Sequence, residues 1–283
     1  MCTVVLLRRP QAPWPLLLAA NRDELRSRPW RPPARHWPDR PEVVGGLDVQ
    51  AGGTWLGVND DGLVAAVLNR VGSLGPAVGK RSRGELVLEA LDHADAAAAA
   101  KALADLNPDA YRPFNLLVAD ARDAFWLRHA GGLPNFGYRT RSGTWQEVDT
   151  PWLPREGDWE TGGKGKAALG SPPIECRPVP EGFSIITARD LNDPTSARVH
   201  HYLPQFEHAS SPDPGADDWS AWIELLGRRA APGADPGDAM TIVTDGDFGT
   251  VCSSLVALPA YGTPIMKFAA GTPDQAPFET IPL

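Results

Sequence analysis

The residues best suited to covalent chemistry stand near the start of the chain, where Met1-Cys2-Thr3 is followed by Asn21-Arg22-Asp23-Glu24. A small residue after an initiator methionine permits removal of that methionine, which leaves a thiol and a free α-amine on one residue. An α-amine titrates near ~7.7 to 8.0 and a free thiol near ~8.5, so at neutral pH the amine can take the thiol proton without a histidine. Such a pair hydrolyses amides through a covalent acyl-enzyme. It also needs a carboxylate or guanidinium to hold the amine and polarise the substrate, and amide donors for the tetrahedral oxyanion. The tetrad carries all of these groups. The residues alone leave a second reading open: four polar residues after a strand also make a solvated turn, and a cysteine at position 2 also serves as a small apolar side chain.

The elements that must position these groups are short β-like runs at Thr3 to Leu7 and Leu16 to Ala20. As a hairpin they set the start of one strand beside the end of the other, with the tetrad at that end. Trp55 to Asn59 and Leu63 to Leu68 flank Asp60-Asp61-Gly62, a turn signal for a second hairpin. Ser82 followed by Glu85 is a capping-box pattern and predicts a helix start, and a further helix spans Ala94 to Leu106, stopping at Asn107-Pro108. Asn115 to Ala119 and Ala124 to Leu127 read as another strand pair, and Gly131 to Pro180 as a long irregular span. Later strands are expected at Phe183 to Thr187, Thr241 to Thr244, Val251 to Ala257 and Ile265 to Phe268. Trp219, Trp222, Ile223 and Leu226 have the spacing of one helix face. Strands, helices and strands again, with hairpin spacing, point to an α+β layered domain spanning 1–283 as one unit.

Composition narrows the function. The 42% apolar content fills an ordinary core, and 35 acidic against 27 basic residues, net −8, leave no basic stripe for phosphate backbones. Nucleic acid is not an expected partner. No run approaches the roughly 20 apolar residues of a membrane span. The N-terminus lacks the basic start of a signal peptide. Three scattered cysteines, Cys2, Cys176 and Cys252, suit a reducing cytoplasm better than a disulfide framework.

Other features have plain readings. Gly52-Gly53 reads as a turn or bulge rather than an anion cradle. His200, His201 and His208 read as a solvated cluster, and no zinc-ligand spacing accompanies them, so no metal is expected. Most of the ten tryptophans read as core or loop anchors, a few as the lining of an apolar pocket. Asn192-Asp193-Pro194, with Thr195, Ser196 and Arg198, reads as a capped turn that could border a site.

Taken in order, Met1-Cys2-Thr3, the Asn21 to Glu24 tetrad, Ala51 to Asn59, Leu68-Asn69-Arg70, Ser82-Arg83-Gly84, and Tyr111 with Phe114 to Leu117 resemble the NRDE family, also called the transport and Golgi organisation 2 family. Phe248-Gly249-Thr250 with Ser253-Ser254 is similar to that family's closing Gly-Thr-Arg-Ser segment, although Val251 and Cys252 stand where an arginine is common. The resemblance implies an N-terminal nucleophile hydrolase-like fold, a four-layer αββα sandwich of two antiparallel sheets between helical layers. By likeness to the cysteine branch of those hydrolases, which includes bile-salt and penicillin V acylases, it implies Cys2 as nucleophile, Arg22 and Asp23 as the groups that hold and polarise it, and Asn69 as an oxyanion donor. Asn21, Glu24, Trp55, Arg70 and Asn115 are the expected supporting or substrate-binding residues. The implied activity is hydrolysis of a non-peptide carbon-nitrogen bond in a small molecule, without a cofactor. The alternative is a non-catalytic binding or trafficking protein for a hydrophobic ligand such as haem. Oligomeric state is not legible in the sequence.

Overall fold

The computed structural model describes residues 2–131, 137–139, 145–147 and 173–283, with the backbone alone for 137–139 and 145–147. In chain order the elements are β1 (Thr3–Arg8), β2 (Leu16–Leu25), β3 (Trp30–Ala34), β4 (Val43–Asp48), β5 (Leu56–Asn59), β6 (Val64–Asn69), α1 (Gly84–Leu91), α2 (Ala96–Ala104), β7 (Phe114–Ala119), β8 (Ala124–His129), β9 (Gly137–Arg139), β10 (Trp145–Glu147), β11 (Glu175–Pro178), β12 (Gly182–Ile186), α3 (Ala197–His208), α4 (Ser220–Leu226), β13 (Phe248–Leu258), β14 (Ile265–Ala269) and β15 (Glu279–Ile281). Strands β12-β1-β2-β13-β14-β15 form a six-stranded sheet, β11-β8-β7-β6-β5-β4-β3 a seven-stranded one, and β9 pairs with β10.

Strand periodicity distributes the core. Along β1, Val4 and Leu6 face the second sheet while Val5 and Leu7 face helices, so both faces are buried and the run reads as unbroken hydrophobics. Leu6, Leu18 and Val256 meet Val58, Val64 and Leu117 between the sheets. Leu86, Leu91 and Leu103 of α1 and α2 cover the outer face of the seven-stranded sheet through Leu63, Leu116 and Val118. Val199, Phe206 and Trp222 of α3 and α4 cover the six-stranded sheet through Val5, Leu17 and Leu255. Each fully buried leucine or valine contributes about 1.5–3 kcal/mol relative to exposure. Helix, sheet, sheet and helix follow one another, which is the αββα sandwich. Among the described residues no helix is long and apolar enough to cross a membrane.

Several local expectations change. The tetrad is not a turn after a strand: β2 runs on through it to Leu25, because β13 supplies a ladder partner from Leu258↔Leu16 to Phe248↔Leu25. Ser82 and Glu85 do not form a capping box. Arg83 is the N-cap without a side-chain cap bond, Ser82 Oγ accepts from the Gly84 amide at 3.2 Å, and Glu85 pairs with Arg81. Thr241 to Thr244 is not a strand; Thr241 instead bonds the α4 end, its hydroxyl donating to the Leu226 carbonyl at 2.7 Å. Within the span read as irregular, Glu175–Pro178 pairs with β8 and 137–139 with 145–147, and the rest of that span before residue 173 lies outside the described residues. Helix α3 was not foreseen. It begins at Ser196, whose hydroxyl accepts from the Val199 amide, so the capped-turn reading holds and a helix follows it.

Candidate active site

Strand β2 is central in its sheet, and its alternation sends successive tetrad residues to opposite faces. Thr3 pairs with Asn21, and Cys252 pairs with Arg22 from the other side. Cys2 and Cys252 therefore flank Arg22 on the face toward the second sheet. The Cys2 Sγ accepts from the Asp23 amide at 3.4 Å and lies 3.5 Å from the Asp23 carbonyl oxygen, to which the thiol can donate. Burial pushes the Cys2 thiol above the ordinary range, the Asp23 charge adds to this, and the Arg22 charge pulls the other way. Burial raises the Cys252 thiol as well.

Arg22 is 5% exposed and lies across the indole of Trp55, its guanidinium carbon 4.2 Å from the ring centroid. Its Nη2 donates to Asp48 Oδ2 at 3.3 Å, but that carboxylate is shared with Arg28 Nε at 2.7 Å and the Ala51 amide at 3.0 Å. The Arg22 Nη1 is buried without a hydrogen-bond partner among the described residues. Arg22 and Trp55 border a narrow cleft between the sheets with about 20 Å³ of free space, lined by Cys2, Arg22, Trp55, Ala66, Leu68 and Cys252 among others.

The other face of β2 is tied into the scaffold. Asn21 Nδ2 donates to the carbonyls of Leu226 (3.1 Å) and Met240 (2.8 Å), and Oδ1 accepts from Ser253 Oγ at 2.7 Å. The Asp23 carboxylate accepts from Thr250 Oγ1 at 2.6 Å and pairs with Arg198 Nη1 at 3.5 Å. Arg198 also donates to the Thr3 hydroxyl and, through Nη2, to the Gly237 carbonyl at 2.9 Å. Asp23 thus meets Cys2 through its backbone, while its carboxylate anchors the strand start beside Cys2.

The remaining expected residues divide. Trp55 lines the cleft. Asn69 ends β6 directly after the cleft-lining Leu68. Glu24 is half-buried beside Arg28, 3.9 Å away. Arg70 and Asn115 sit together outside the cleft lining: Arg70 donates to Asn115 Oδ1 and Asp190 Oδ1, both at 2.7 Å, and Asn115 Nδ2 holds the carbonyls of Thr187 and Arg189. That network fastens the segment after β12 to the seven-stranded sheet. His200, His201 and His208 are exposed on α3, and among the described residues no group of three or more metal-ligating side chains occurs. Cys252, which lines the cleft, and Asp48, which pairs with Arg22, are residues that the sequence reading did not assign. Asp48 carried no local signal. Cys252 follows Val251, which takes up the irregularity of a β-bulge between Thr250 and Cys252, at the place where the family's arginine is expected.

The sequence pattern of the family described as Transport and Golgi organisation 2 matches residues 1–151, more than half of the 283. The chain belongs to the transport and Golgi organisation 2 family. Relatives in that family include the Transport and Golgi organization protein 2 homolog of Bos taurus, 39% identical over 110 residues, which are 37% of this chain and 38% of that protein. The Homo sapiens homolog is 39% identical over 115 residues, 38% of this chain and 40% of that protein. The chain thus matches less than half the length of these curated relatives. Among solved structures, a Caenorhabditis elegans N-acylethanolamine-hydrolyzing acid amidase ortholog superposes over 99% of this chain and 100% of its own, with TM-score 0.51 and 12% identity. Penicillin V acylase from Agrobacterium tumefaciens covers 95% of this chain and 83% of its own, with TM-score 0.50 and 12% identity. At that identity the likeness establishes the fold: this family member has the N-terminal nucleophile hydrolase fold.

Proposed function

We propose that the protein is an amidohydrolase in which Cys2, freed of Met1, cleaves a non-peptide carbon-nitrogen bond of a small molecule. The observation that carries this reading is Arg22, whose buried Nη1 has no hydrogen-bond partner among the described residues and which lines the same cleft as Cys2. A buried guanidinium nitrogen left unbonded costs free energy that a ligand oxygen would recover. The reaction balances with these groups. The α-amine of Cys2 takes the thiol proton, and the sulfur attacks the amide carbon. Arg22 stabilises the oxyanion. The carbon-nitrogen bond breaks, and the leaving amine takes the proton from the α-ammonium. Water then gives a proton to the Cys2 α-amine and its oxygen attacks the thioester carbon; the carbon-sulfur bond breaks, the acid is released, and the α-ammonium returns the proton to the thiolate. The Asp23 amide bonded to Sγ supports the thiolate throughout.

Haem is the ligand implied by the alternative reading. Among the described residues the cleft lining holds no histidine, its sulfur donors are Cys2 and Cys252, and its width is set by facing side chains of two packed sheets. The residues do not fit a planar macrocycle. The hydrolase reading is tested with a thiol-directed acylating reagent. The parent should take one adduct at Cys2, while Cys2→Ser and Cys2→Ala take none and unfold at the parent's temperature. Equal labelling of the three proteins would sink it.

A further inference from the structure

Two guanidiniums near the cleft are held together without a counter-charge. Arg83, the residue before α1, donates through Nη1 to the Ser73 carbonyl (2.6 Å), the Ser73 hydroxyl (3.0 Å) and the Pro113 carbonyl (3.2 Å). Arg112 donates to the carbonyls of Gly72 (3.0 Å), Leu74 (2.5 Å) and Pro76 (3.3 Å). Both also reach the Gly75 carbonyl, Arg83 at 3.4 Å and Arg112 at 3.2 Å, so the two cations stand side by side. Every one of these acceptors is neutral. Among the described residues neither arginine has an ion pair, whereas Arg22, Arg28, Arg70 and Arg81 each have one. Burial, with the Arg112 charge second, lowers the Arg83 pKa to about 10. In a chain of net charge −8, this pair of like charges is complementary to an anion.

The pair stands at the end of the sandwich where Cys2 lies. Cys2 leads into β1, the segment from Gly72 to Pro76 follows β6, and Pro113 leads into β7. Gly84, next to Arg83, packs on the residues that lead to Trp55 of the cleft lining: its carbonyl accepts from the Thr54 amide at 3.3 Å, and a Cβ on Gly53 would come within 2.5 Å of its carbonyl carbon. The Arg83 charge therefore acts on the Cys2 thiol and on Glu24, whose carboxylate is paired with Arg28. Between the sheets about 20 Å³ is free, room for one water-sized group such as a carbonyl oxygen. The rest of a substrate must lie outward, on the side of the two arginines.

We propose that Arg83 and Arg112 bind an anionic group of the substrate, so that the amide cleaved at Cys2 carries a carboxylate or a phosphate whose oxygens accept from both guanidiniums. The inference rests on Cys2 being the nucleophile and adds the charge of the substrate.

The test compares alkylation of Cys2 on the full chain by iodoacetate and by iodoacetamide, reagents alike in size and unlike in charge, with the adduct located by mass and free cysteine as the reference. Relative to free cysteine, the protein should favour iodoacetate by about tenfold, the order of one unit charge acting through an effective dielectric of about 20. Arg83→Gln should remove most of that preference and Arg83→Lys should keep it. The ratio of the two rates cancels any change in the reactivity of the thiol itself. Arg112→Gln should lower the preference as well, and it keeps the test open if Arg83→Gln does not fold. At fixed ionic strength, acetate or inorganic phosphate should slow iodoacetate selectively, and whichever acts at the lower concentration names the anion. The anion site is overturned, and Cys2 left standing, by a protein with no preference over free cysteine or by a preference unchanged in Arg83→Gln and Arg112→Gln. An iodoacetate rate that neither anion slows, or a loss as complete in Arg83→Lys as in Arg83→Gln, would overturn it too. Failure of both reagents to modify Cys2 would overturn the nucleophile, and the substrate assignment with it.

Discussion

Strand β2 presents two faces, and they treat their polar groups differently. Toward α3 and α4, Asn21 spends its amide on two backbone carbonyls and a serine hydroxyl, and Asp23 spends its carboxylate on Thr250 and Arg198. Toward the second sheet, Arg22 shares one carboxylate with Arg28, stacks on Trp55 and, among the described residues, leaves Nη1 unbonded. Four consecutive polar residues thus serve two purposes by strand alternation alone. One face locks the position of the strand that carries Cys2, and the other leaves donor capacity for a ligand.

The comparison breaks most visibly at Arg198. Arg198→Ala removes the cation facing a buried carboxylate, and the loss of one partner of such a pair costs about 3–5 kcal/mol. Urea unfolding should report a loss in that range, and a loss below about 1 kcal/mol would mean that the helix-side face is not the anchor described. Arg22→Leu should do the reverse. Cys2 acylation should slow by about 10²–10³-fold, as on removal of an oxyanion donor, while the unfolding midpoint holds or rises because a buried unbonded donor is gone. A destabilised Arg22→Leu with unchanged acylation would assign Arg22 to the scaffold.

A third buried group limits the comparison. His129 on β8 is 1% exposed, and its Nδ1 also lacks a partner among the described residues. Burial, with the Lys80 charge second, lowers its pKa to about 4. The unfolded chain, titrating near ~6.5, binds the proton more readily, so this group's contribution is intact above about pH 6.5 and is lost as pH falls toward 4. The effect is smaller than the other two. His129→Phe should flatten that part of the stability curve and leave Cys2 acylation unchanged, which separates an unpaired atom in a packed core from one at a cleft.

Much of this was legible in the sequence where a local signal exists. The β5–β6 hairpin follows from Asp60-Asp61-Gly62, where Gly62 has φ +82. The Trp219 to Leu226 spacing gave α4. Cys2, Arg22 and Trp55 are brought together as expected. The opposite destinations of Arg22 and Asp23 were not legible, because a polar tetrad looks like a turn until β13, more than 200 residues later, is known to pair with it. The pairing of Arg198 with Asp23 was hidden for a related reason. Val199, Tyr202, Leu203 and Phe206 do carry helix spacing, but Pro204 and two histidines obscure it, and nothing local links that helix to Asp23. Arg70 and Asn115 show the converse: they stand beside expected site residues in sequence, and their bonds serve the docking of the segment after β12.

The most direct test of the central claim is the intact mass of the purified protein before and after a thiol-directed acylating probe, with the adduct mapped by fragmentation. The account predicts a chain lacking one methionine that gains a single acyl group on Cys2. A chain that retains Met1 in its active form, or an adduct that maps to Cys176 or Cys252 and spares Cys2, would contradict it.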